Sequence, residues 1–344
     1  MPLGRRRAPL IAVPLLLAGL LVATGGARFL IERGGAVTVA SAWTRSPVDK
    51  RPLPAFQPKP PIRAAFYYIW YPEAWKQKGY ACGQPPRNSN PPTPSGCFTR
   101  YHPRLGFYDS ASTAVIRQHI RLMQYGRIAA GIVSWWGPGT RTDRRFRPLL
   151  RVADRMRSRF RWAIYYEPEG QGDPAASTIA SDLAYIKSHY ARDRAYLKVN
   201  GKFVVFVYGP DDKTCAYFSR WHDANAAIGF AAYLNLDLTF DAQACGDQPS
   251  ASHLYGPAQP IRRTSSSFAV SAGFWKASEA TARLDRDPTS YAEDVSQMVD
   301  SQAPWQLVTT FNEWGEGTAI EPAREWKSGS HGVFLQILRA NPQH

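Results

Sequence analysis

The chain has 344 residues, 44% hydrophobic and 20% charged, enough for one α/β barrel with appendages and too apolar to be disordered throughout or collagenous. The net charge is +15, and residues 1–60 hold nine basic against two acidic side chains of it; the remaining +8 reads as arginines scattered over outer helices, without a dense cluster or a nucleic-acid motif, so nucleic acid is set aside as a partner. Aromatic residues make 13%, and rings of this size often line a groove for a carbohydrate.

Arg5, Arg6 and Arg7 precede an uncharged apolar run from Ala8 to Ala23, the order of a secretory signal, with Ala40-Ser41-Ala42 as a small-residue cleavage site downstream. A run of this length is also close to spanning a bilayer, so residues 1–43 read as a signal peptide or an uncleaved signal anchor. Either reading places the rest of the chain outside the cytoplasm, secreted or tethered to the membrane. Six prolines between Pro47 and Pro61 exclude helix and central strand and make residues 44–62 an extended tether, leaving 63–344 as a single folded domain.

Cys82, Cys97, Cys215 and Cys245 all follow the apolar run, and an oxidising compartment predicts two disulfides. Three pairings are open, of which Cys82 with Cys97 and Cys215 with Cys245 are the local choice. There is no CxxC and no His pair at ligand spacing, so no metal site and no cofactor is expected.

Short apolar and aromatic runs at 63–70, 131–136, 161–167, 202–208, 229–235, 252–256, 267–275 and 306–312 read as strands buried on both faces, the sixth the weakest. Helical periodicity fills 109–125, 145–160, 175–190, 212–226 and 288–301, with a closing helix at 331–340. Eight alternating units imply a (β/α)8 TIM barrel, and no GxGxxG or GxxxxGK[ST] follows any strand to support a nucleotide-binding sheet.

In such a barrel chemistry sits beyond the C-terminal ends of the strands. Those ends read Trp70-Tyr71-Pro72-Glu73, Trp135-Trp136, Tyr166-Glu167, Tyr208-Gly209, Asn235-Leu236-Asp237, Tyr255, Trp275 and Asn312-Glu313-Trp314-Gly315-Glu316. Glu313 and Glu316 supply the two carboxyl groups that glycosidic cleavage uses, one protonated and one ionised, with like charge driving their pKa values apart. Taken singly each residue has a plainer role: the glutamates pairing with arginines, Trp135 and the tyrosines filling the barrel, Glu167 accepting from backbone amides, Asn312 bonding within a loop. Their convergence on one end of one barrel is what joins them.

The segment TFNEWGEGTAIEPA at residues 310–323, together with AFYYIWYP, GIVSWWGPG and IYYEPEG earlier in the chain, resembles glycoside hydrolase family 99, the endo-α-mannosidase family. The resemblance spans residues 65–323 and implies a metal-free retaining barrel enzyme in which the sugar's own 2-hydroxyl attacks to give a 1,2-anhydro sugar. It implies Glu313 as the base for that hydroxyl and Glu316 as the acid for the leaving oxygen. Tyr71, Trp135 and Glu167 match its sugar-contacting segments, Asn312 belongs to its most specific motif, and Tyr255 matches by strand position. The family pattern has His where this chain has Gly315 and Gln where it has Ala319. The expected partner is an oligo- or polysaccharide, and the expected function an endo-acting α-mannosidase; a silent polysaccharide-binding protein and a glycan-modifying transferase are the rivals.

Overall fold

Strands whose residues are buried on both faces must lie between two layers of packing, and the barrel supplies them: side chains inside, helices outside. The structure, a computed structural model, describes residues 56–78, 81–82, 97–238, 240 and 244–343; the signal segment and most of the tether lie outside these. Ten strands form one sheet: β1 (Ile62–Tyr67), β2 (Ala130–Trp135), β3 (Arg161–Tyr166), β4 (Lys198–Val199), β5 (Lys202–Val207), β6 (Ala232–Asp237), β7 (Ala251–His253), β8 (Ile261–Arg263), β9 (Ser267–Ser271) and β10 (Trp305–Thr309). Their order is β7-β6-β5-β3-β2-β1-β10-β9-β8, with β4 paired to β5. Removing the short antiparallel β4 and β8 leaves eight parallel strands, one for each run read from the sequence, the weak sixth being the three-residue β7.

The helices are α1 (Glu73–Lys78), α2 (Thr113–Tyr125), α3 (Arg141–Arg155), α4 (Ala176–His189), α5 (Cys215–Ala227), α6 (Pro288–Asp300) and α7 (Val333–Ala340). Residue chemistry sets their starts: Thr140 accepts from the Asp143 N–H, Thr214 from Ala216, and Asp287 from Ser290 with Pro288 behind it. The crossovers from β6 to β7 and from β7 to β9 carry no helix among the described residues, so two of the eight units are loops. The first of these is tied to the start of α5 by the Cys215–Cys245 disulfide; Cys82–Cys97 is the second bridge, and the local pairing is the one formed.

β7 and β9 share no ladder, and hydroxyl side chains bridge the gap. The Ser252 N–H donates to Ser266 Oγ at 2.8 Å, while the Ser252 carbonyl accepts from Thr264 Oγ1 at 2.8 Å and Ser266 Oγ at 3.0 Å. Inside, rings from strands that are not neighbours touch: Phe66 of β1 lies 6.2 Å from Phe206 of β5 and 5.7 Å from His253 of β7, and Phe206 lies 4.9 Å from Trp305 of β10. Such contacts are possible only across a barrel interior. At the N-terminal rim, residues 56–61, which proline density assigns to the tether, are held down: Gln57 bonds both Tyr196 and Lys198, and Arg161 Nε donates to the Phe56 carbonyl at 2.8 Å.

The seam rests on few groups. Ser266→Ala leaves the Ser252 peptide short of partners and is expected to lower stability by about 1–3 kcal/mol in urea unfolding, with the secondary structure retained.

Candidate active site

Side chains along a strand alternate between faces, so the interior contacts fix which residues continue into the cleft. Phe66 points inward, and Tyr68 two residues on does the same; Tyr165 leads to Glu167, Phe206 to Tyr208, Asn235 to Asp237 and His253 to Tyr255. Ser134 and Trp136 share the inward set of β2, joined by a bond from the indole N–H to Ser134 Oγ. The residues between them face the helices. Trp135 is wholly buried and donates its indole N–H to Asp143 of α3, and Tyr166 donates to Asp182 of α4.

Glu313, Glu316, Glu167 and Tyr255 therefore stand at one end of the barrel, the charges of Glu316 and Glu167 reaching Glu313 and the Tyr255 hydroxyl reaching Glu316. Tyr255 donates to Glu316 Oε2 at 3.3 Å, and its hydroxyl lies 2.7 Å from that of Tyr68. Glu313 Oε1 accepts the Gly315 N–H at 2.8 Å, while the buried Oε2 has no partner among the described residues. Lys276 Nζ stands 3.8 Å from Glu316 Oε1. Burial, then the charge of Glu316, pushes Glu313 well above the carboxylate range, against the pull of the Gly315 and Glu316 N–H groups. Burial also raises Glu316, with Lys276 and the Tyr255 hydroxyl pulling it back.

Tyr71 and Asn312 do not reach the cleft; both are fully buried and act as its frame. Asn312 Oδ1 accepts the Tyr68 N–H at 2.8 Å and its Nδ2 donates to the Tyr68 carbonyl at 2.9 Å, while Tyr71 stacks on Trp75 and donates to the Asn312 carbonyl. Behind them sits a closed polar array. Glu321 Oε2 accepts from Tyr108 at 2.7 Å and from the Trp314 indole at 3.2 Å, its Oε1 lies 3.2 Å from His119 Nε2, and His119 Nδ1 meets Tyr67 at 2.8 Å. This array holds the loop that carries both candidate carboxyls. Trp135 likewise braces Asp143, which burial would raise but which hydrogen bonds from Tyr190, Trp135, Gly139 and Tyr185 hold below its ordinary value.

The rings that do border the cleft are Tyr68, Trp70, Trp136 and Tyr208. Trp70 lies against Tyr68 at 4.7 Å and is half-buried with its indole nitrogen unpartnered, and Tyr208 is 38% exposed. All stand in the strand-end runs, and the signal that separates Trp136 from Trp135 is parity along the strand. Two glycines fit the motif loop to its surroundings. A Cβ at Gly315 would meet the Phe98 ring at 2.7 Å, and at Gly317, where φ is +67°, it would meet the Trp275 carbonyl at 2.5 Å. The position where the family pattern has His is thus filled from outside the loop by Phe98, and Ala319 is fully buried.

Further carboxyls surround the pair. Burial pushes Glu167 up to about 8, with the Ser134 hydroxyl opposing, and Asp237 up to about 7 despite the Tyr255 and Gly209 N–H groups and Arg262. Burial lowers His253 to about 3, so its ring is neutral. Among the described residues no group of three or more His, Cys, Asp or Glu is placed to hold a metal ion.

No protein-family model and no curated protein matches the chain. Among solved structures it is similar to the GH99 endo-alpha-mannosidase from Bacteroides thetaiotaomicron, with TM-score 0.61 and 19% identity over 81% of this chain and 95% of that one. A GH99 endo-alpha-mannosidase in complex with Bis-Tris-propane gives TM-score 0.61 and 20% identity over 81% and 94%. A glycoside hydrolase-like protein gives TM-score 0.53 and 15% identity over 85% and 97%. The likeness is one of fold, an α/β barrel.

Two outcomes follow from the geometry. Trp136→Ala should leave stability little changed, whereas Trp135→Ala should cost about 3–5 kcal/mol in unfolding measurements. Glu167 binds its proton more tightly folded than unfolded, so its contribution to stability is full below its ordinary pKa and is lost as pH rises toward about 8. The unfolding free energy should then fall between pH 5 and 8, and Glu167→Gln should flatten that fall by an amount on the order of a few kcal/mol in urea unfolding.

Proposed function

We propose that this chain is a retaining, endo-acting α-glycosidase that cuts α-mannosides with Glu313 and Glu316. The observation that carries the reading is a buried pair of coupled carboxyls at the C-terminal mouth of the barrel, one with an unpartnered oxygen, bordered by half-exposed rings. The barrel's likeness to GH99 structures and the Asn-Glu-Trp-Gly-Glu-Gly motif support it.

In this reading Glu313 takes the proton of the sugar 2-hydroxyl as O2 bonds to C1, and the C1–O bond to the leaving sugar breaks as Glu316 gives that oxygen its proton. The 1,2-anhydro ring is then opened at C1 by water, whose proton passes to Glu316 while Glu313 returns its proton to O2. Two inversions at C1 give retention. The pair must carry one proton in all; burial raises Glu313, and Lys276 favours charge on Glu316. The aromatic border supplies flat faces for sugar rings on either side of the bond.

The test is incubation with α-mannans and α-glucans, following released oligosaccharides by mass spectrometry and the nascent anomer by NMR. Release of an α-configured oligosaccharide by wild type, with a loss of about 10²-fold or more in Glu313→Gln and Glu316→Gln at unchanged folding, supports the reading. Binding without release would make the chain a polysaccharide-binding protein, and transfer to an added acceptor a transferase. The pH profile of kcat/KM should be a bell displaced above the ordinary carboxylate range. Lys276→Met, which removes the cation opposing protonation of Glu316, should move its basic limb to higher pH.

A further inference from the structure

The folded domain's positive charge is not spread evenly. Residues 113–161 hold twelve arginines against two aspartates, whereas the rest of 61–344 holds 21 basic and 23 acidic side chains. Read along the chain these arginines are scattered; on the helices they align, which corrects the expectation of a dispersed surface. Arg117 and Arg121 are one turn apart on α2, Arg151 and Arg155 one turn apart on α3, and the two helices pack side by side. All four are exposed and make no hydrogen bond or ion pair among the described residues.

Other arginines of the segment are engaged within the domain. Toward the cleft, Arg141 and Arg145 pair with Glu73 at 3.5 and 2.8 Å, and Arg144 donates to the Gly139 carbonyl at 2.5 Å. At the N-terminal rim Arg127 Nε donates to the Arg339 carbonyl at 2.8 Å. That rim is also where the chain preceding the domain arrives, since the Phe56 ring lies 5.1 Å from the Arg159 guanidinium and its carbonyl is held by Arg161 at the start of β3. The cleft lies at the opposite ends of the strands, about 20 Å away for six residues.

We propose that the exposed arginine face of α2 and α3 docks on an anionic phospholipid surface. Guanidinium groups pair bidentately with phosphates, and clustered arginines near a bilayer add their attractions. The sequence outside the described residues argues for this occupant: an uncharged apolar run of 16 residues, Ala8–Ala23, follows three arginines, and 32 residues separate it from Phe56. A connection of that length reaches about 100 Å when extended and sets no orientation. The arginine face sets one, with the exposed sides of α2 and α3 toward the lipid. An acidic polysaccharide is less suited, because the free arginines lie on the outer helices and not in the cleft it would enter. The proposal is independent of the chemistry proposed for the cleft.

The test uses the full chain in nanodiscs of phosphatidylcholine alone or with about one-third phosphatidylglycerol, with arginines labelled by phenylglyoxal and read by mass spectrometry. Arg117, Arg121, Arg151 and Arg155 should label about five- to tenfold more slowly in the anionic discs, and high salt should restore the rate. With Arg117→Glu and Arg151→Glu, the remaining Arg121 and Arg155 should label equally in both discs. Equal labelling of the wild type in both discs overturns the proposal. So does protection by an added acidic polysaccharide in neutral discs with none from the anionic lipid.

Discussion

The side-chain amide of Asn312 takes both hydrogen-bonding groups of the Tyr68 residue, and the cleft depends on that clamp. The β1–β10 ladder ends as the two chains part, with a last backbone bond from Phe311 to the Phe66 carbonyl. Without the amide, the next N–H and carbonyl of the first strand would be buried and unpaired, at a cost comparable to the lost bonds. With it, the strand pairing is extended by one side chain, and the backbone beyond is free to turn. Glu313 follows at once, Tyr68 is delivered beside Tyr255, and Tyr71 closes the arrangement on the Asn312 carbonyl. One neutral side chain thus sets the relative positions of a carboxyl on the last strand and a hydroxyl on the first.

Around this clamp the molecule concentrates groups that a stable core avoids. Glu313 Oε2, Asp237 Oδ1, Asn235 Nδ2 and His253 Nε2 are buried without partners among the described residues, all near the C-terminal ends of strands. Unsatisfied atoms of this kind cost stability unless protonation or a polar ligand relieves them. The neighbouring array of Glu321, His119, Tyr67, Tyr108 and Trp314 is the reverse case, polar and buried yet satisfied. The contrast between a saturated layer behind the loop and an unsaturated one before it marks which side chains are framework and which are free to react.

Much of this was legible in the sequence, for reasons that differ from part to part. Eight runs of apolar residues were visible because barrel strands are buried on both faces, and even the three-residue β7 left a trace in Ser252 to Gly256. Helical periodicity is missing between the runs at 229–235, 252–256 and 267–275, and the two crossovers there are loops among the described residues. Trp135 and Tyr71 looked like sugar platforms because composition does not record direction. Parity does: counting by two from Phe66 or Tyr165 leads to Tyr68 and Glu167, and passes over the residues that face the helices. The arginines of α2 and α3 illustrate the same lesson at a period of 3.6, where residues dispersed in the string converge on one stripe.

Gly315 and Phe98 occupy one volume between them, and that has an evolutionary reading. A side chain at 315 collides with the ring, and loss of the ring leaves a hole beside Tyr71 and Trp75, so each single replacement is penalised while a paired one is not. Epistasis of this kind narrows the routes by which a barrel can exchange one cleft wall for another. Phe98 follows directly on Cys97, bridged to Cys82, so the swap is between a residue of the motif loop and one on a separately stapled excursion of the chain. A change of this wall therefore involves two segments distant in the chain.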